Sequence, residues 1–337
     1  MKNNYKVVFT QKNCVELWEE EMPEIDADKV LIETEISQIS TGTELTRLEA
    51  NVDKDSAWNT DLNYPFFPGY SNVGKIIKVG EAVSEEWLGK RVLTMAHHEK
   101  YAVRKANESL IVIPDNVESE EAVFGTLGTV AMASIRAAKI RPGDTVVVYG
   151  AGLVGQLVAR LAKISGALNV FVTDVSDYRL SMLPDDAGFY KINTTKEDVV
   201  EALGKYGRKE LARIVFETTS VPSLIEKELL CLQKRGYLII TSSPKGKSTI
   251  DFEYCSRNGL TIIGAHNFAI HTPVGTPYDP WTRREDTLYF LDLLSKKEIS
   301  LTKTITHKES YKNAIEMYQM LVKDRTQALG VMLYWKE

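Results

Sequence analysis

The sequence is poor in cysteine and has no long apolar run, and both absences limit what the protein can be. Its three cysteines are Cys14, Cys231 and Cys255. They show neither the spacing of a disulfide framework nor that of a zinc ribbon. No apolar stretch approaches the roughly eighteen residues that cross a bilayer, and the N-terminus lacks the apolar core of a signal peptide. We therefore expect a reduced, cytoplasmic protein.

The chain also lacks a strong charge of either sign. Its formal net charge is −5 over 337 residues, and it contains no long basic block. We therefore expect neither a nucleic acid nor a membrane as a partner. The apolar fraction of 44% supports ordinary packed cores, and the length suggests two domains.

The order of the sequence patterns indicates an α/β protein with a separate β-rich part. Short β-branched runs with turn signals nearby predict strands at 30–36, 74–79, 91–94 and 110–113. Strands then alternate with helical patterns, at 145–149, 170–174, 214–217, 237–241 and 261–263. This alternation predicts a doubly wound parallel sheet that binds ligands at the carboxyl ends of its strands. A loop rich in Pro and Gly and two helical patterns, at 285–294 and 310–322, follow, with Ser310 as a plausible N-cap.

The most informative stretch joins the strand at 145–149 to an apolar helical pattern through Gly150-x-Gly152-x-x-Gly155. In such a turn the first glycine permits a tight bend, the second lets the backbone approach a pyrophosphate, and the third lets the helix pack closely on the sheet. The next strand ends in Asp174, whose carboxylate could accept both ribose hydroxyls of an adenosine and would repel a 2′-phosphate. The pattern therefore predicts an NAD(H) site. The alternative is a structural glycine turn beside an unrelated acid.

Together these features resemble the medium-chain dehydrogenase/reductase superfamily over almost the whole chain. The segments that carry the resemblance include Ile39-Ser-Thr-Gly-Thr-Glu44, Phe67-Pro-Gly-Tyr-Ser-Asn-Val-Gly74, Gly89-Lys-Arg-Val92, Arg141-Pro-Gly-Asp144 and Gly264-Ala-His-Asn267. The resemblance implies a GroES-like β-rich catalytic domain (1–126 and 264–337) and a Rossmann NAD(H)-binding domain (127–263). It also implies a homodimer or homotetramer, often paired through the edge strand of the Rossmann sheet.

The variants Ser-Thr-Gly-Thr-Glu and Pro-Gly-Tyr-Ser look most like a zinc-free branch that includes bacteriochlorophyllide dehydrogenase-like proteins. That name is applied to proteins without any link to pigment synthesis, so its substrate does not carry over. At the positions that match the zinc ligands of the family, this chain has Thr41, Tyr70, Ser71 and, less certainly, Thr126. Zinc prefers thiolate, imidazole or carboxylate, and we therefore expect no metal.

Without zinc, another group must hydrogen-bond the substrate oxygen and exchange its proton. The resemblance points to Thr43, Tyr70, His98 and His266 as catalytic candidates. Histidine titrates near neutral pH, and of the two histidines His98 is slightly favoured as the acid–base. Glu44, beside Thr43, could orient this group. Each candidate also has a structural interpretation: Tyr70 could fill the vacated metal pocket, Thr43 could cap a turn, and either histidine could be a satisfied polar residue.

The resemblance also implies which residues contact the cofactor. The residues expected to contact its pyrophosphate, adenosine or nicotinamide are Gly150, Gly152, Leu153, Val154, Gly155, Asp174, Arg179, Thr218, Ser242, Ala265 and Arg325. Of these, Arg179 could equally be a solvated arginine, and Arg325 could form a surface ion pair.

We therefore expect a zinc-independent, NAD(H)-dependent oxidoreductase that interconverts a secondary alcohol and a ketone. The substrate would be a small or peptide-like molecule, such as a sugar, a cyclitol or a natural-product intermediate. One alternative is a reductase that adds hydride to a polarised C=C bond, in an enone or a dehydroamino acyl group. Another is a non-catalytic nucleotide-binding protein.

Overall fold

The structure, a computed structural model, describes residues 3–60, 62–107, 109–207 and 211–336. Within these residues the strands are β1 (Asn3–Gln11), β2 (Cys14–Glu21), β3 (Lys29–Ile39), β4 (Asn72–Val79), β5 (Arg91–Thr94), β6 (Tyr101–Lys105), β7 (Ile111–Val112), β8 (Thr145–Tyr149), β9 (Asn169–Asp174), β10 (Phe189–Asn193), β11 (Ala212–Glu217), β12 (Leu232–Ile240), β13 (Thr261–Gly264), β14 (Ile305–Ser310) and β15 (Gly330–Tyr334). The α-helices are α1 (Thr43–Glu49), α2 (Ala57–Thr60), α3 (Ser119–Ala122), α4 (Gly125–Ala138), α5 (Leu153–Ile164), α6 (Asp177–Ser181), α7 (Val199–Tyr206), α8 (Ile225–Leu230), α9 (Phe252–Asn258), α10 (Asn267–Ile270), α11 (Arg283–Ser295) and α12 (Ala314–Lys323). Short 3-10 turns lie at Glu85–Trp87, Pro222–Leu224, Thr302–Thr304 and Tyr311–Asn313.

The chain divides into two compact units. Unit 1 comprises Met1–Asn51, Asn59–Thr126 and Arg284–Glu337, and unit 2 comprises Val52–Trp58 and Leu127–Arg283. Unit 2 continues past residue 263 because side chains at its end pack within it. The guanidinium of Arg136 lies 3.5 Å from the ring centroid of Trp281. The domain boundaries expected from the sequence stay a prediction.

Unit 1 is built on a mixed sheet with the strand order β14-β15-β3-β4-β5-β7, and β6 also pairs with β3. The pairs are antiparallel except for β14 with β15. A separate hairpin joins β1 and β2. Tyr318 from α12 packs edge-on against Phe9 at 5.1 Å, and Trp335 stacks on Tyr311 at 4.8 Å. These aromatic contacts give unit 1 a core between its sheet and α12.

Unit 2 is built on a parallel sheet with the strand order β10-β9-β8-β11-β12-β13. Val146, Val147 and Val148 in β8 are all fully buried, as expected for a central parallel strand that helices cover on both faces. The helix α5 follows β8 directly and packs Leu157 and Leu161 inward. The predicted α/β class, with a β-rich part and a Rossmann-type sheet, is confirmed.

The region around Ser310 differs in detail from the helix predicted there. Ser310 accepts a hydrogen bond from the N–H of Lys312 at 3.3 Å, so it caps the 3-10 turn Tyr311–Asn313 rather than an α-helix. The α-helix α12 begins only at Ala314. None of the helices in the described ranges combines the length and apolar character that a membrane crossing requires.

Candidate functional site

The glycine turn of unit 2 has two positions that no other residue can occupy without movement. Gly150 follows β8 with φ of +98°, in the left-handed region, and its N–H donates to the carbonyl of Thr173 at 2.8 Å. A Cβ added to Gly155 would lie 1.9 Å from the carbonyl oxygen of Gly150. Backbone conformation at Gly150 and lack of space at Gly155 therefore require glycine at both ends of the turn.

The middle glycine is constrained differently. Gly152 is the N-cap of α5 with φ of −65°, and a Cβ added there would meet nothing within 4 Å. The cap contributes no side-chain hydrogen bond, so no capping side chain occupies the backbone N–H groups of the first helical turn, which begins at Leu153 and Val154. A helix N-terminus presents unpaired N–H groups and a positive dipole end, which suit a phosphate. The residues present therefore fit a dinucleotide pyrophosphate.

Asp174 lies at the end of β9, beside this turn. Its Oδ2 accepts a hydrogen bond from the N–H of Ala151 at 2.8 Å, and its Oδ1 accepts one from the N–H of Ser176 at 2.9 Å. The carboxylate is thus held by backbone on two sides, yet each oxygen keeps acceptor capacity for a ligand hydroxyl. This geometry fits the ribose contact predicted from the sequence.

Thr218 and Ser242 are tied to the ends of β8 and β11 by their own side chains. The hydroxyl of Thr218 donates to the carbonyl of Tyr149 at 2.6 Å. The hydroxyl of Ser242 donates to Oε2 of Glu217, and Oε1 of the same carboxylate accepts bonds from Thr219 and Ser220. Glu217 is only 1% exposed. No sequence motif marks Glu217 as the residue that organises this edge of the sheet.

Ala265 and Arg179 are also placed in unit 2. The N–H of Ala265 donates to the carbonyl of Ile240 at 2.8 Å, which fixes the backbone after β13. The backbone N–H of Arg179 donates to the hydroxyl of Ser176 at 3.3 Å. This bond fixes the start of α6, and Arg179 itself is half-buried there.

His266, a catalytic candidate, and Arg325, predicted to reach the pyrophosphate, lie in different units. His266 belongs to unit 2, is exposed and lies 5.7 Å from the ring of Phe268. Arg325 belongs to unit 1, where its guanidinium forms an ion pair with Glu49 at 3.4 Å. His266 thus makes a ring contact, and Arg325 an ion pair, with a residue of its own unit.

Unit 1 brings together three of the four predicted catalytic residues, Thr43, Tyr70 and His98. Gly69, with φ of +99°, allows this approach, since a Cβ there would lie 2.4 Å from the backbone nitrogen of His98. The N–H of His98 donates to the carbonyl of Pro68 at 2.9 Å. The segment that carries Tyr70 is thereby held against the segment that carries His98.

His98 itself is completely buried and fully bonded. Its Nδ1 lies 2.7 Å from the hydroxyl of Ser37, and its Nε2 lies 3.1 Å from Oε2 of Glu44. With no exposed surface and both nitrogens occupied, His98 has no path for direct proton transfer to a substrate in this structure. The enclosure of His98 counts against direct proton donation, and the choice among Tyr70, His98 and His266 as the proton donor stays a prediction.

Glu44 is the centre of the cluster, rather than an accessory to Thr43. Its Oε1 accepts a bond from the N–H of Ser40 at 3.0 Å, and its Oε2 also accepts one from the hydroxyl of Tyr318. Tyr318 lies far along the chain, on α12, so no local motif could have identified it. Glu44 is 1% exposed, and burial together with this carboxylate raises the pKa of Tyr318 well above its usual value.

Tyr70 lies at the edge of the cluster and is only partly buried. Its hydroxyl donates to the hydroxyl of Ser40 and also has a hydrogen bond with Thr43. Burial first, and the charge of Glu44 after it, raise the pKa of Tyr70 to about 12. Tyr70 is therefore a hydrogen-bond donor that stays protonated at neutral pH.

The residues at the family's zinc positions do not fit a zinc ion. Thr41 and Ser71 offer only hydroxyls and Tyr70 a phenol, whereas zinc prefers thiolate, imidazole or carboxylate. Within the described ranges, no group of three or more His, Cys, Asp or Glu side chains is arranged to hold a metal. We therefore derive no step through a metal.

The chain is similar to known dehydrogenases. Residues 154–275 match the family described as zinc-binding dehydrogenase. The chain is 24% identical to L-threonine 3-dehydrogenase of Pseudoalteromonas atlantica, over 74% of this chain and 80% of the relative. It is 21% identical to sorbitol dehydrogenase of Bacillus subtilis, over 82% of this chain and 83% of that protein. Its match to the zinc-type alcohol dehydrogenase-like protein YdjJ of Escherichia coli K12 spans 57% of that protein's length.

The fold is shared with a solved dehydrogenase. The structure of RspB from Escherichia coli CFT073, described as a short chain alcohol dehydrogenase in complex with NADH, superposes with a TM-score of 0.83 at 19% identity. The alignment covers 99% of this chain and 100% of that one. Together with the family model, the dehydrogenase relatives and the glycine turn beside Asp174, this likeness indicates a dehydrogenase of the medium-chain dehydrogenase/reductase type.

Proposed function

We propose that the protein is an NAD(H)-dependent oxidoreductase that interconverts a secondary alcohol and a ketone. The observation that carries this proposal is the Asp174 carboxylate, fixed beside the first turn of α5. A carboxylate there accepts ribose hydroxyls and repels a 2′-phosphate, so it favours NAD(H) over NADP(H). Relatives named as dehydrogenases of L-threonine and sorbitol, and a similar fold solved with NADH, support a nicotinamide-dependent dehydrogenase.

The cofactor would be held by the residues of unit 2 predicted from the sequence. The backbone at Leu153 and Val154 would bind the pyrophosphate, and Asp174 the adenosine ribose. Thr218, Ser242 and Ala265 follow or end successive parallel strands, where the nicotinamide of this fold class binds. Once bound, the cofactor supplies or accepts the hydride.

We further propose that catalysis is zinc-independent and that Tyr70 replaces the metal. Its phenol would donate a hydrogen bond to the substrate oxygen and stabilise the charge that develops there. Thr43 bonds to the same phenol and holds its orientation. The hydroxyl donors at the family's zinc positions, Thr41 and Ser71, support this proposal.

The substrate proposed for this site is a small polar molecule such as a sugar, a cyclitol or a natural-product intermediate. Support comes from the polar residues that the family resemblance places along the cleft, which are Thr41, Thr43, Ser71 and Asn267. We also propose a cytoplasmic homodimer or homotetramer. The position of β13 at the edge of the parallel sheet supports pairing through that strand.

The test is to follow NADH oxidation with ketoses, acyclic ketones and enones, each with and without a strong chelator. We expect turnover of ketones, preference for NADH over NADPH, activity that survives chelation and no stoichiometric zinc by elemental analysis. Turnover of enones alone would instead identify a C=C reductase. Tight NADH binding without turnover of any substrate would identify a nucleotide-binding protein, and a requirement for added zinc would overturn the metal-free mechanism.

A further inference from the structure

The phenol of Tyr70 has a single hydrogen, and in this structure that hydrogen is directed at Ser40. The hydroxyl of Tyr70 donates to Oγ of Ser40 and also has a hydrogen bond with the side chain of Thr43. A phenol has one O–H to donate, but its oxygen lone pairs also accept hydrogen bonds. Since the hydrogen of Tyr70 goes to Ser40, the hydroxyl of Thr43 is the donor in the second bond.

Tyr70 cannot keep this bond and donate to a substrate oxygen at the same time. When its hydrogen turns to the substrate, Ser40 loses the donor from which it accepts, and two hydroxyl oxygens face each other. The contact stays a hydrogen bond only if the hydroxyl of Ser40 then donates to the oxygen of Tyr70. The proposed role of Tyr70 therefore either breaks the bond with Ser40 or reverses it.

The surroundings of Ser40 permit the reversal. Its backbone is held on both sides, because its N–H donates to Oε1 of Glu44 at 3.0 Å and its carbonyl accepts from the N–H of Glu44 at 3.0 Å. Its hydroxyl, in contrast, has no hydrogen-bond partner other than Tyr70 among the described residues. The hydroxyl hydrogen of Ser40 therefore turns towards Tyr70 without breaking another bond.

We propose that Ser40 is a positioning residue whose hydroxyl accepts a hydrogen bond from Tyr70 in the resting protein and donates one to Tyr70 once its proton has left. This inference rests on the proposed function in one respect, the identity of Tyr70 as the proton donor. Ser40 is only 8% exposed, and it acts through Tyr70 rather than on the substrate.

In the reducing direction the step is balanced. A C–H bond forms at the carbonyl carbon with the hydride from a reduced nicotinamide, and the π electron pair moves to oxygen. The O–H bond of Tyr70 breaks as a new O–H bond forms on the substrate. The phenolate oxygen keeps the electron pair, accepts hydrogen bonds from Ser40 and Thr43, and is then reprotonated from water.

Hydrogen-bond donors to the phenolate matter here because the surroundings of Tyr70 oppose a negative charge. Burial raises the pKa of Tyr70 most, and the charge of Glu44 raises it further, whereas the bonds with Ser40 and Thr43 lower it. Tyr318 from α12 also faces Tyr70, and its own raised pKa keeps it neutral. Donation from Ser40 therefore makes Tyr70 a stronger acid than it would be without that bond.

The test reads the direction of the Ser40 bond from the ionisation of the phenol and needs no substrate. A ring-fluorinated tyrosine, which is more acidic than tyrosine, is incorporated at position 70 and titrated by fluorine-19 NMR. A donor to the phenolate lowers the pKa of the phenol, whereas a group that only accepts its hydrogen raises it. We therefore expect Ser40→Ala to raise this pKa by about half a pH unit or more. Ser40→Thr, which keeps the hydroxyl, should stay close to the wild-type value.

Thr46 provides a matched control. Its hydroxyl lies on α1 and donates to the carbonyl of Gly42, so Thr46→Val removes a hydroxyl without touching Tyr70 and should leave the pKa unchanged. An unchanged or lowered pKa in Ser40→Ala would overturn the proposal, because Ser40 would then be no donor to the phenolate. If Ser40→Ala does not fold, Ser40→Cys, whose thiol is a weaker donor, should raise the pKa, and a pKa that stays in place would overturn the proposal equally.

Activity provides a separate readout. If the proposed function is correct, Ser40→Ala should lower kcat for ketone reduction about tenfold without a change in the affinity for NADH, and Ser40→Thr should restore most of the loss. A Ser40 that only accepts would compete with the substrate for the hydrogen of Tyr70, so a kcat that rises in Ser40→Ala would contradict the proposal. A raised pKa without any measurable turnover would support the donor role of Ser40 and count against the proposed function alone.

Discussion

The Oδ2 atom of Asp174 accepts a hydrogen bond from the N–H of Ala151 at 2.8 Å, which joins the acid at the end of β9 to the glycine turn after β8. The proposed ribose contact and the proposed phosphate site are thus parts of one rigid element. A change at Asp174 therefore affects charge and turn geometry together, and a test of cofactor preference must separate these two effects.

Replacing Asp174 by Asn keeps an oxygen for the Ala151 bond but removes the negative charge. We expect the ratio of kcat/KM for NADP(H) to that for NAD(H) to rise about tenfold or more, because repulsion of a 2′-phosphate is lost. Asp174→Ser should raise the ratio as well, with an added loss of affinity. Steady-state kinetics with both cofactors measures the effect.

Asp177 provides the matched control for this experiment. It lies three residues further on, where its carboxylate is exposed and bonded to Asn193 and Lys196. Asp177→Asn should leave the cofactor ratio unchanged. If Asp174→Asn also leaves it unchanged, the carboxylate does not determine cofactor specificity.

Two glycine variants should separate stability from cofactor binding. Gly155→Ala places a Cβ against the carbonyl of Gly150, so we expect a loss of about 1–3 kcal/mol in the free energy of unfolding. Gly152→Ala meets no protein atom within 4 Å and should unfold at the wild-type temperature, yet bind NADH more weakly. Thermal unfolding without cofactor and an NADH fluorescence titration measure the two effects. Equal melting temperatures for both variants would refute the steric argument.

Substituting Tyr70 should affect the chemical step more than substituting His98. We expect Tyr70→Phe to lower kcat by on the order of a hundredfold, because the donor to the substrate oxygen is removed. His98→Asn should have a smaller effect, since it acts only through Glu44. Single-turnover kinetics with NADH checks both variants, and an effect of Tyr70→Phe below about threefold would reduce Tyr70 to a packing role.

Glu228 should make the stability of unit 2 depend on pH. Its side chain is fully buried, and neither carboxyl oxygen has a hydrogen-bond partner among the described residues. Burial first, and then the nearby Glu217, raise the pKa of Glu228 from its ordinary value of 4.5 to about 9. The folded protein therefore holds a proton that the unfolded chain releases above its own, lower pKa. The stabilisation is complete below that lower value and is lost as the pH rises towards about 9.

The expected consequence is a steeper fall in wild-type stability than in Glu228→Gln between about pH 5 and 9, by on the order of 2 kcal/mol or more. Urea unfolding at several pH values measures this difference. Glu226→Gln, an exposed carboxylate on the same helix, is the control and should follow the wild-type curve. Parallel curves for wild type and Glu228→Gln would mean that Glu228 is not protonated in the folded protein.

The sequence predicted the fold well wherever a pattern was local. The strand at 91–94 matches β5, and the glycine turn with Asp174 appears as expected, because sterics and strand periodicity act over a few residues. The pattern at 237–241 recovered only the end of β12, which begins at Leu232. Polar residues such as Lys234 and Arg235 in its first half obscured the apolar signal.

The site in unit 1 could be predicted only in part. Thr43 and Tyr70 share a hydrogen bond, as the resemblance led us to expect of neighbours, but His98 bonds to the buried Glu44 instead. Tyr318 and Trp335 complete the cluster from the far end of the chain. Contacts between residues so distant in sequence leave no periodicity in a single chain. Only the folded structure could show that His98 is enclosed.

The carboxylate of Glu217 has a practical consequence for redesign of the protein. One of its oxygens accepts hydrogen bonds from the backbone of Thr219 and Ser220, and the other accepts one from the hydroxyl of Ser242. The loops after β11 and β12 are therefore held by the same carboxylate. A library that varies one of these loops will disturb the other. The two loops should therefore be engineered together, with Glu217 left in place.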